Sequence, residues 1–453
     1  MGHGSQAPRT AWGWTGLRHP PAVPGAYWVL IAGGGESCLI FDFGFDGIRK
    51  DPRKTMKMTP AAQYLRLIRK SLAGIRRDIP ALAKLGEAMA QPVLAGGDLV
   101  PSPVSAFWPS EFSGRAGGLM GIRWHGFVPA KKTDVAYFAL PDRRRWDPER
   151  DEHLSRLVKS PGRLFVIGRP EDVAPLARRR FAGFTGGAAP EAGLYGVGET
   201  RPLAPLRPLE QIVRGWSAAG EFVAACTRAG RMPILWMSVW LEGALVRNAS
   251  FTRLNNLREP FPVPMFHEDR YIPPLAAGRV AGEFVGFVEG MLESLESQTG
   301  ALARAGRWLA EAKRAGRRVW TVAVGHSYPE ILDRPPGYPL EWGHSVSDLA
   351  KAVPADLGPG DVALHLGYSP VNVADVKRIC GRGIKFIYMS PYGRPAALGD
   401  HRNLLWLDLE WRPGDACVDV PGYGARLIPS SSSAHTMAYF AILSEMAERM
   451  GWR

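Results

Sequence analysis

The sequence predicts an α/β protein with two doubly wound parallel-sheet domains in tandem. Strand-like apolar runs alternate with helical stretches, which is typical of parallel β-α-β units whose sheet is covered on both faces. The order helix, glycine-ended strand, strand, helix and strand occurs twice along the chain. The chain has 453 residues, enough for two or three domains with their own cores.

The first half begins with a helix. Thr59 suits an N-cap, Pro60 suits the first turn, and apolar residues recur at helical spacing up to Ile75. We expect the helix to bend or restart at Pro80, and PVLAGGDL (92–99) to be a short strand that runs into glycines. The following segments predict strand, helix, strand and helix in turn: TDVAYFALP, PERDEHLSRLVK, GRLFVIG and PLEQIVRGWSAAGEFVAACTRAG.

The second half repeats this order. Residues 284–318 predict a long helical stretch before the strand VWTVAVGHS. GDVALHLGYS, NVADVKRICGRG and IKFIYMS then predict a strand, a helix closed by glycine, and a strand. We therefore expect an N-terminal domain over 58–244, an aperiodic connector over 245–278, and a C-terminal domain over 279–453. Residues 1–57 are either a Pro/Gly-rich accessory segment or a stretch before a true start at Met56 or Met58.

Composition restricts the function classes. The formal charge is +13, from 56 basic and 43 acidic residues. This excess attracts polyanions, but a high-GC genome also enriches arginine, and no recognised module predicts a nucleic-acid partner. The four cysteines are scattered, which fits a reducing cytoplasm. Three glycines and Glu36 interrupt the apolar stretch 26–43, so we expect neither a signal peptide nor a membrane span there.

Four consecutive serines, Ser430–Ser433, precede an apolar run at helical spacing. They therefore lie where a helix begins. A serine there is a common N-cap that needs no ligand. Alternatively, the free N–H groups of the helix start and the hydroxyls form a cradle for an anion. The local sequence fits both interpretations.

The second half resembles the sugar isomerase (SIS) family of phosphosugar-binding domains. The resemblance is carried by the order of three weak motifs: VAVGHS (322–327), PGDVALHLGYSPVNVADVKRICGRGIKFIYMS (359–390) and VDVPGYGARLIPSSSSAHTMAYFAIL (418–443). In the first half, SEFSGRAGGLMG (110–121) is similar to a segment of one SIS subgroup. The resemblance implies flavodoxin-type three-layer domains, with the first half a degenerate copy that completes an intramolecular pseudo-dimer. Further homodimerisation is a possible extension of this arrangement.

The resemblance also implies a phosphosugar site where three loops of the second half meet. The expected binding residues are Gly325, Ser327, Ser369, Asn372, Ser430, Ser431, Ser432 and Ser433. The sequence departs from the family at Gly367, where a serine is common, and at Pro370, where a glycine is common. Proline removes an N–H group that a ligand would otherwise use. The first half offers Arg143–Arg145, either as a phosphate clamp or as a solvated surface.

Isomerase chemistry requires a base, usually a carboxylate, and often a histidine. Glu330 and Glu111 are the candidate bases. Glu330 is alternatively the partner of Ser327 in a capping box, and Glu111 forms an ion pair with Arg115 in the other interpretation. His326 and His435 flank the expected cradle, where each is either catalytic or a simple hydrogen-bond donor.

The sequence thus predicts a phosphosugar-binding protein with a small-molecule sugar phosphate as its partner. Whether it is an aldose–ketose isomerase or a non-catalytic sensor stays open, and a nucleic-acid or polyphosphate binder is a weaker alternative. FHEDR (266–270) lacks the spaced ligands of a metal site, so no metal is expected. GGG (33–35) lacks the dinucleotide-binding spacing, and no cofactor is expected.

Overall fold

A computed structural model describes residues 58–102, 107–123, 128–140, 152–173, 178, 180–189, 191–195, 202–252, 263–324, 341–345 and 349–452. Several predictions fall outside these residues: the segment 1–57, the loop residues Gly325, His326, Ser327 and Glu330, and the arginines Arg143–Arg145. The helices are α1 (Pro60–Leu94), α2 (Phe107–Phe112), α3 (Glu152–Lys159), α4 (Arg207–Arg228), α5 (Ala244–Thr252), α6 (Arg279–Ser297), α7 (Thr299–Arg314), α8 (Leu349–Ala352), α9 (Val373–Gly381) and α10 (Ser431–Met450).

Two parallel sheets confirm the predicted α/β class. The first sheet contains β1 (Leu99–Pro101), β2 (Val135–Ala139), β3 (Arg163–Ile167) and β4 (Phe181–Phe184), in spatial order β1-β2-β3-β4. The second contains β7 (Val319–Val324), β8 (Glu341–Ser345), β9 (Val362–Gly367), β10 (Lys385–Ser390) and β11 (Leu404–Asp408), in order β11-β10-β9-β7-β8. Two antiparallel pairs complete the strands: β5 (Gly193–Tyr195) with β6 (Pro202–Pro205), and β12 (Ala416–Val418) with β13 (Leu427–Pro429).

Helix α1 corrects two expectations about the first half. It runs through Pro80 as one helix of 35 residues, and its buried stripe continues beyond the proline with Leu82 and Leu85. Packing of this stripe against the core offsets the hydrogen bond that Pro80 removes. The segment from Pro92 is the last turn of α1 and not a strand. Its turn closes when Gly97 donates its N–H to the carbonyl of Pro92, and β1 begins only at Leu99.

The central helices α1, α4, α6 and α10 pack together, and buried carboxylates cap two of their N-termini. Glu445 of α10 accepts the N–H of Ala61 at 3.0 Å. Glu221 of α4 accepts the N–H groups of Gly278 and Ala281 at 2.7 and 2.9 Å. A carboxylate suits this position because the first N–H groups of a helix lack internal partners and carry partial positive charge. Long-range capping by acidic side chains is thus a recurring feature of the fold.

The segment predicted as an aperiodic connector is partly helical, because α5 covers its beginning. The predicted long helix of the second half is divided at Gln298 into α6 and α7. Within the ranges that the structure describes, no helix has both the length and the apolar character needed to cross a bilayer.

Candidate functional site

The second sheet has the strand order of flavodoxin-like folds. Taken in sequence, its five strands are arranged 2-1-3-4-5, so the chain changes direction between β7 and β9. Connections that leave adjacent strands in opposite directions open a crevice outside the carboxyl ends, where ligands of such sheets bind. The carboxyl end of β9 therefore borders this crevice.

The polyserine start of α10 lies at this carboxyl edge. His435, in the first turns of α10, accepts the N–H of Gly367 through its Nε2 atom at 3.2 Å. Tyr368, the next residue of the β9 loop, interacts electrostatically with Arg115 and Asp415. The structure thus brings together two of the three predicted loops, the one after β9 and the polyserine segment. The predicted third loop, from Gly325 to Ser327, lies outside the described residues.

The backbone at the start of α10 binds a carboxylate of the protein itself. The Asp415 Oδ1 atom accepts the N–H groups of Ser430 at 3.0 Å and Ser431 at 2.7 Å. Ser430 is the N-cap residue, but its side chain does not cap the helix; its hydroxyl donates to the Asp415 carbonyl at 2.7 Å. All four serines are fully buried. The N–H groups of Ser430 and Ser431 therefore meet an anion, as an anion cradle requires, and that anion is internal.

A guanidinium from the first half completes the environment of Asp415. Arg115, fully buried after α2, donates to the Asp415 Oδ2 atom at 3.0 Å and to the Ser431 hydroxyl at 2.6 Å. It also forms the i, i+4 ion pair with Glu111 that the sequence offered as an alternative, at 2.7 Å. The cluster combines one guanidinium, two carboxylates and a helix start, so positive and negative charge nearly balance in a region without water contact.

Hydrogen-bond donors bind both carboxylate oxygens of Glu111. Its Oε1 accepts the indole N–H of Trp216 at 2.8 Å, and its Oε2 accepts the hydroxyl of Ser432 at 2.8 Å in addition to Arg115. Burial raises the pKa of Glu111, and the charge of Arg115 and the bonds from Trp216 and Ser432 oppose that shift. We call Glu111, Arg115, Trp216, Asp415 and Ser430–Ser432 the buried cluster.

His435 and its neighbour His365 are neutral imidazoles. The Nδ1 atom of His435 lies 2.8 Å from the carbonyl of Ser431, so it carries the proton, and Nε2 accepts from Gly367. His365 is arranged similarly, with Nδ1 3.3 Å from the carbonyl of Met389. Burial, above all, lowers the pKa of each histidine to about 3.

The β9 loop explains the departure from the family at Gly367. A Cβ atom at this position would lie 2.5 Å from the His365 Nε2 atom. The His365 ring is stacked on Tyr388 at 4.1 Å between centroids, so it has little freedom to move away. Position 367 therefore excludes a serine because His365 fills the space of its side chain.

Ser369 and Asn372 lie further along this loop, nearer to solvent. Ser369 is half-buried, and Pro370 beside it is exposed. Asn372 is exposed and caps α9, with its Oδ1 atom accepting the N–H of Asp375 at 3.2 Å. These two predicted binding residues are at the same sheet edge as the buried cluster, but they face an open environment.

A cleft of about 320 Å3 lies beside the buried cluster. One wall comes from the segment 236–241 and the other from the strand pair β12–β13 with its flanking residues. The loops that follow β9 and β10 both approach these walls. Tyr368, after β9, has its side chain near that of Trp240 in the segment 236–241, and Tyr392, after β10, has its hydroxyl near the N–H of Gly414. The cleft lining is Trp236, Met237, Ser238, Leu241, Pro413, Gly414, Ala416, Asp419, Val420, Gly424, Ala425 and Arg426.

The charged residues at this cleft form a small cationic group. Arg426 and Arg412 bind Asp419 at 2.7 and 3.1 Å, and these side chains are 43%, 38% and 63% exposed. The two guanidinium groups lower the pKa of Asp419, the Arg426 hydrogen bond most of all. Arg426 and Asp419 line the cleft, and Arg412 lies outside the lining, so the one positive charge in excess is next to the cleft.

The sequence did not single out Asp415, Trp216 or the residues of the cleft. Asp415 carries a local signal, because Gly414-Asp415 is typical of a turn, but a turn does not indicate which helix its carboxylate caps. Its backbone has φ +69°, which Asp tolerates better than most residues do. Trp216 is one apolar residue of a helical stripe by pattern, and only the packing of α4 beside α2 brings its indole to Glu111.

No protein-family model matches the chain, and no curated protein matches it by sequence. Two solved structures are similar to it in fold. A proposed sugar-binding protein from Salmonella typhimurium LT2 is 9% identical with a TM-score of 0.41, and the match covers 83% of this chain and 99% of that one. A proposed tagatose-6-phosphate ketose/aldose isomerase from Clostridium novyi NT is 9% identical with a TM-score of 0.40, covering 86% and 87%.

Proposed function

We propose that the protein binds a sugar phosphate in the cleft at the carboxyl edge of the second sheet. The observation that carries this proposal is that the loops after β9 and β10 both reach the walls of one cleft, through Tyr368 and Tyr392. The crevice at a reversal of strand order is the usual ligand site of a doubly wound sheet. A volume of about 320 Å3 also lies within the range of small-molecule sites.

The chemistry of the cleft suits a ligand that is partly apolar and carries negative charge. Trp236 and Leu241 offer a surface for the apolar face of a sugar ring, and the buried Ser238 adds a hydroxyl. Arg426 and Arg412 supply the donors and the excess positive charge that a phosphate group requires. Ser369 and Asn372 remain proposed contacts from the β9 loop, and Ser430–Ser433 support the site from beneath.

Binding without turnover is the function that the described residues favour. A general base must come within hydrogen-bond reach of the substrate proton. Glu111 and His435 are both fully buried, and the polar atoms of each side chain are bonded inside the protein. The proposed role of Glu111 and His435 is therefore to hold the site together. In this proposal the protein is a sugar-phosphate sensor or a regulatory binding module.

An isomerase is the second candidate, because the raised pKa of Glu111 is a common property of catalytic carboxylates. In that function Glu330 and His326 are the remaining candidates for proton transfer. A coupled assay for aldose–ketose interconversion, run on every sugar phosphate that binds, separates the two functions. Binding without interconversion supports the sensor, and interconversion supports the isomerase.

The binding proposal is tested by thermal unfolding with a panel of aldose and ketose phosphates, the matching free sugars and inorganic phosphate. We expect at least one sugar phosphate to raise the midpoint more than its sugar or phosphate does, because both parts of the cleft contribute. Arg426→Gln and Trp236→Ala should each reduce this shift. Arg66→Gln, an exposed change on α1, is the control and should leave it intact. An equal response to all phosphates, or an unchanged shift in both cleft variants, contradicts the proposal.

A further inference from the structure

The two walls of the cleft are joined by the side chain of Tyr423. This residue precedes Gly424 of one wall. Its hydroxyl accepts, at 3.0 Å, the N–H of Leu235, which precedes Trp236 of the other wall. Tyr423 and Leu235 are both buried, so an amide that loses this bond finds no water in its place. We call this hydrogen bond the wall contact.

The Tyr423 hydroxyl has two lone pairs and one proton. Arg247 of α5 donates to the hydroxyl from Nη2 at 3.0 Å, and together with the Leu235 N–H it uses both lone pairs. The proton of the hydroxyl must then go to an acceptor. The nearer acceptor is the Nε2 atom of His267 at 2.9 Å, and the carbonyl of Pro233 lies at 3.4 Å. His267 is therefore a neutral imidazole that accepts at Nε2 and carries its proton on Nδ1.

The charged groups around His267 favour the same neutral form. Burial is the largest cause that lowers the pKa of His267, and the charges of Arg270 and Arg247 lower it further. Asp269, on the same segment as the histidine, opposes them. Tyr423 is the titratable group that faces the imidazole from the loop between β12 and β13. Since His267 is only half-buried, a proton can reach it from solvent.

We propose that His267 is a proton switch for the cleft: its neutral form keeps the wall contact, and its protonated form breaks it. A protonated His267 carries an N–H on Nε2, so three donors face a hydroxyl oxygen with two lone pairs. Charged donors form the stronger hydrogen bonds, and the imidazolium and Arg247 are both charged. The neutral N–H of Leu235 is therefore the donor that loses its bond. The inference concerns this contact alone and does not depend on the proposed ligand.

Histidine-selective NMR tests the assignment of the donor. His267→Gln identifies the His267 resonance by its loss. Tyr423→Phe removes the hydroxyl that donates to Nε2, so His267 should titrate about 0.5–1 pH unit higher in this variant than in the parent. Tyr271→Phe is the control, because Tyr271 is 69% exposed and near His267 in the chain, and it should leave the titration unchanged. An equal titration in the parent and in Tyr423→Phe overturns the inference.

Hydrogen exchange tests the switch at the Leu235 amide. The pKa of His267 in the folded protein lies below its ordinary value of 6.5. The wall contact is therefore complete above about pH 6.5 and is lost as the pH falls through the folded-state value. Relative to the intrinsic rate, exchange at Leu235 in the parent should be about three- to tenfold faster at pH 5 than at pH 7.5.

Two variants hold the switch in its two states. His267→Gln keeps an acceptor for the phenol proton and does not titrate, so its Leu235 amide should stay protected at both pH values. Tyr423→Phe lacks the wall contact, so this amide should exchange rapidly at both. His401→Gln changes another half-buried histidine and should respond to pH as the parent does. Equal exchange at both pH values in the parent, a pH response that persists in His267→Gln, or protection that survives in Tyr423→Phe overturns the inference.

Discussion

The two sheets are both parallel, yet their strands are ordered differently. The described strands of the first sheet follow one another in sequence order from β1 to β4, so every connection moves in the same direction. The second sheet starts in its interior at β7 and adds strands on both sides. Only the second arrangement separates two connections and opens a crevice. Among the described strands, the reversal of order and its crevice therefore belong to the second half.

The first half contributes to that edge in another way. Arg115 of the first half donates to Asp415 and Ser431, and Glu111 accepts the hydroxyl of Ser432. Trp216 holds Glu111 in place by donating its indole N–H to it. The first half thus supplies the buried cation and one of the two buried carboxylates beside the start of α10, and the second half supplies Asp415 and the serines.

The largest expected effect comes from removing the cation that joins the two halves. Arg115→Met leaves the Glu111 and Asp415 carboxylates buried without their partner, and we expect a loss of about 3–5 kcal/mol in the free energy of unfolding. Denaturant unfolding at pH 7 measures this loss. Arg123→Met is the comparison within the first half: Arg123 pairs with Asp98, and the two side chains are 42% and 32% exposed, so water can replace the guanidinium there. Equal losses in the two variants would contradict the special role of Arg115.

The next effect tests the end of β9, where Gly367 lies against the His365 ring. Gly367→Ser places a side chain against the His365 ring, where a Cβ atom would be only 2.5 Å from Nε2. Overpacking of a rigid neighbour destabilises by about 1–3 kcal/mol, and denaturant midpoints should report it. Gly290→Ser is the control, since nothing lies within 4 Å of its Cβ position.

A double variant tests whether the His365 ring causes the expected destabilisation by Gly367→Ser. In the background of His365→Ala, Gly367→Ser should be tolerated much better, because the ring that it meets is absent. The two changes would then be non-additive, as expected for residues in contact. Purely additive effects would instead place the strain of Gly367→Ser elsewhere, for example at Val324.

Acid should weaken the second half through its two neutral histidines. The pKa of His365 and of His435 falls to about 3 in the folded protein, whereas an unfolded histidine titrates near 6.5. The lowered pKa contributes stability that is present above pH ~6.5 and is lost as the pH falls toward ~3. Each histidine should contribute a slope of about 1.4 kcal/mol per pH unit in this window.

Substitution of one histidine shows how much of the pH dependence of the free energy of unfolding it causes. His365→Asn keeps a donor for the Met389 carbonyl and does not titrate, so the free energy of unfolding should fall less steeply between pH 6.5 and pH 5 than in the parent. His401→Gln changes a half-buried histidine outside the buried cluster and serves as the control. An unchanged slope in His365→Asn would show that other groups dominate acid unfolding.

The sequence predicted the structural features that depend on residues close together in the chain. The alternation of strands and helices, the ion pair of Glu111 with Arg115 and the helix after the serines are all local patterns. The path of α1 through Pro80 was not predictable, because burial of Leu82 and Leu85 against distant helices outweighs the local effect of proline.

The buried cluster shows the same limit for the site. Serines at a helix start indicate that an acceptor is needed, but they do not identify it. The acceptor here is Asp415, and its partner Arg115 is separated from it by 300 positions. Only the packing of the two halves brings them together. Glu445 and Glu221, which cap α1 and α6, lie 384 and 57 positions along the chain from the residues Ala61 and Gly278 whose N–H groups they bind.

We expect the smallest effect on stability at the cleft. There an exposed arginine of the second half can be compared with an exposed arginine of α1 in the first half. Arg426→Gln removes an ion pair with Asp419 in which both side chains are largely solvated, so the free energy of unfolding should change by less than about 1 kcal/mol. Arg69→Gln, which breaks a similarly exposed pair with Glu296 on the helical layer, should change it as little. The two variants should differ only when ligand is present, with the sugar-phosphate shift reduced in Arg426→Gln and retained in Arg69→Gln. If both retain the full shift, the excess charge of the cleft has no part in binding, and the phosphate must be bound by other donors of the second half.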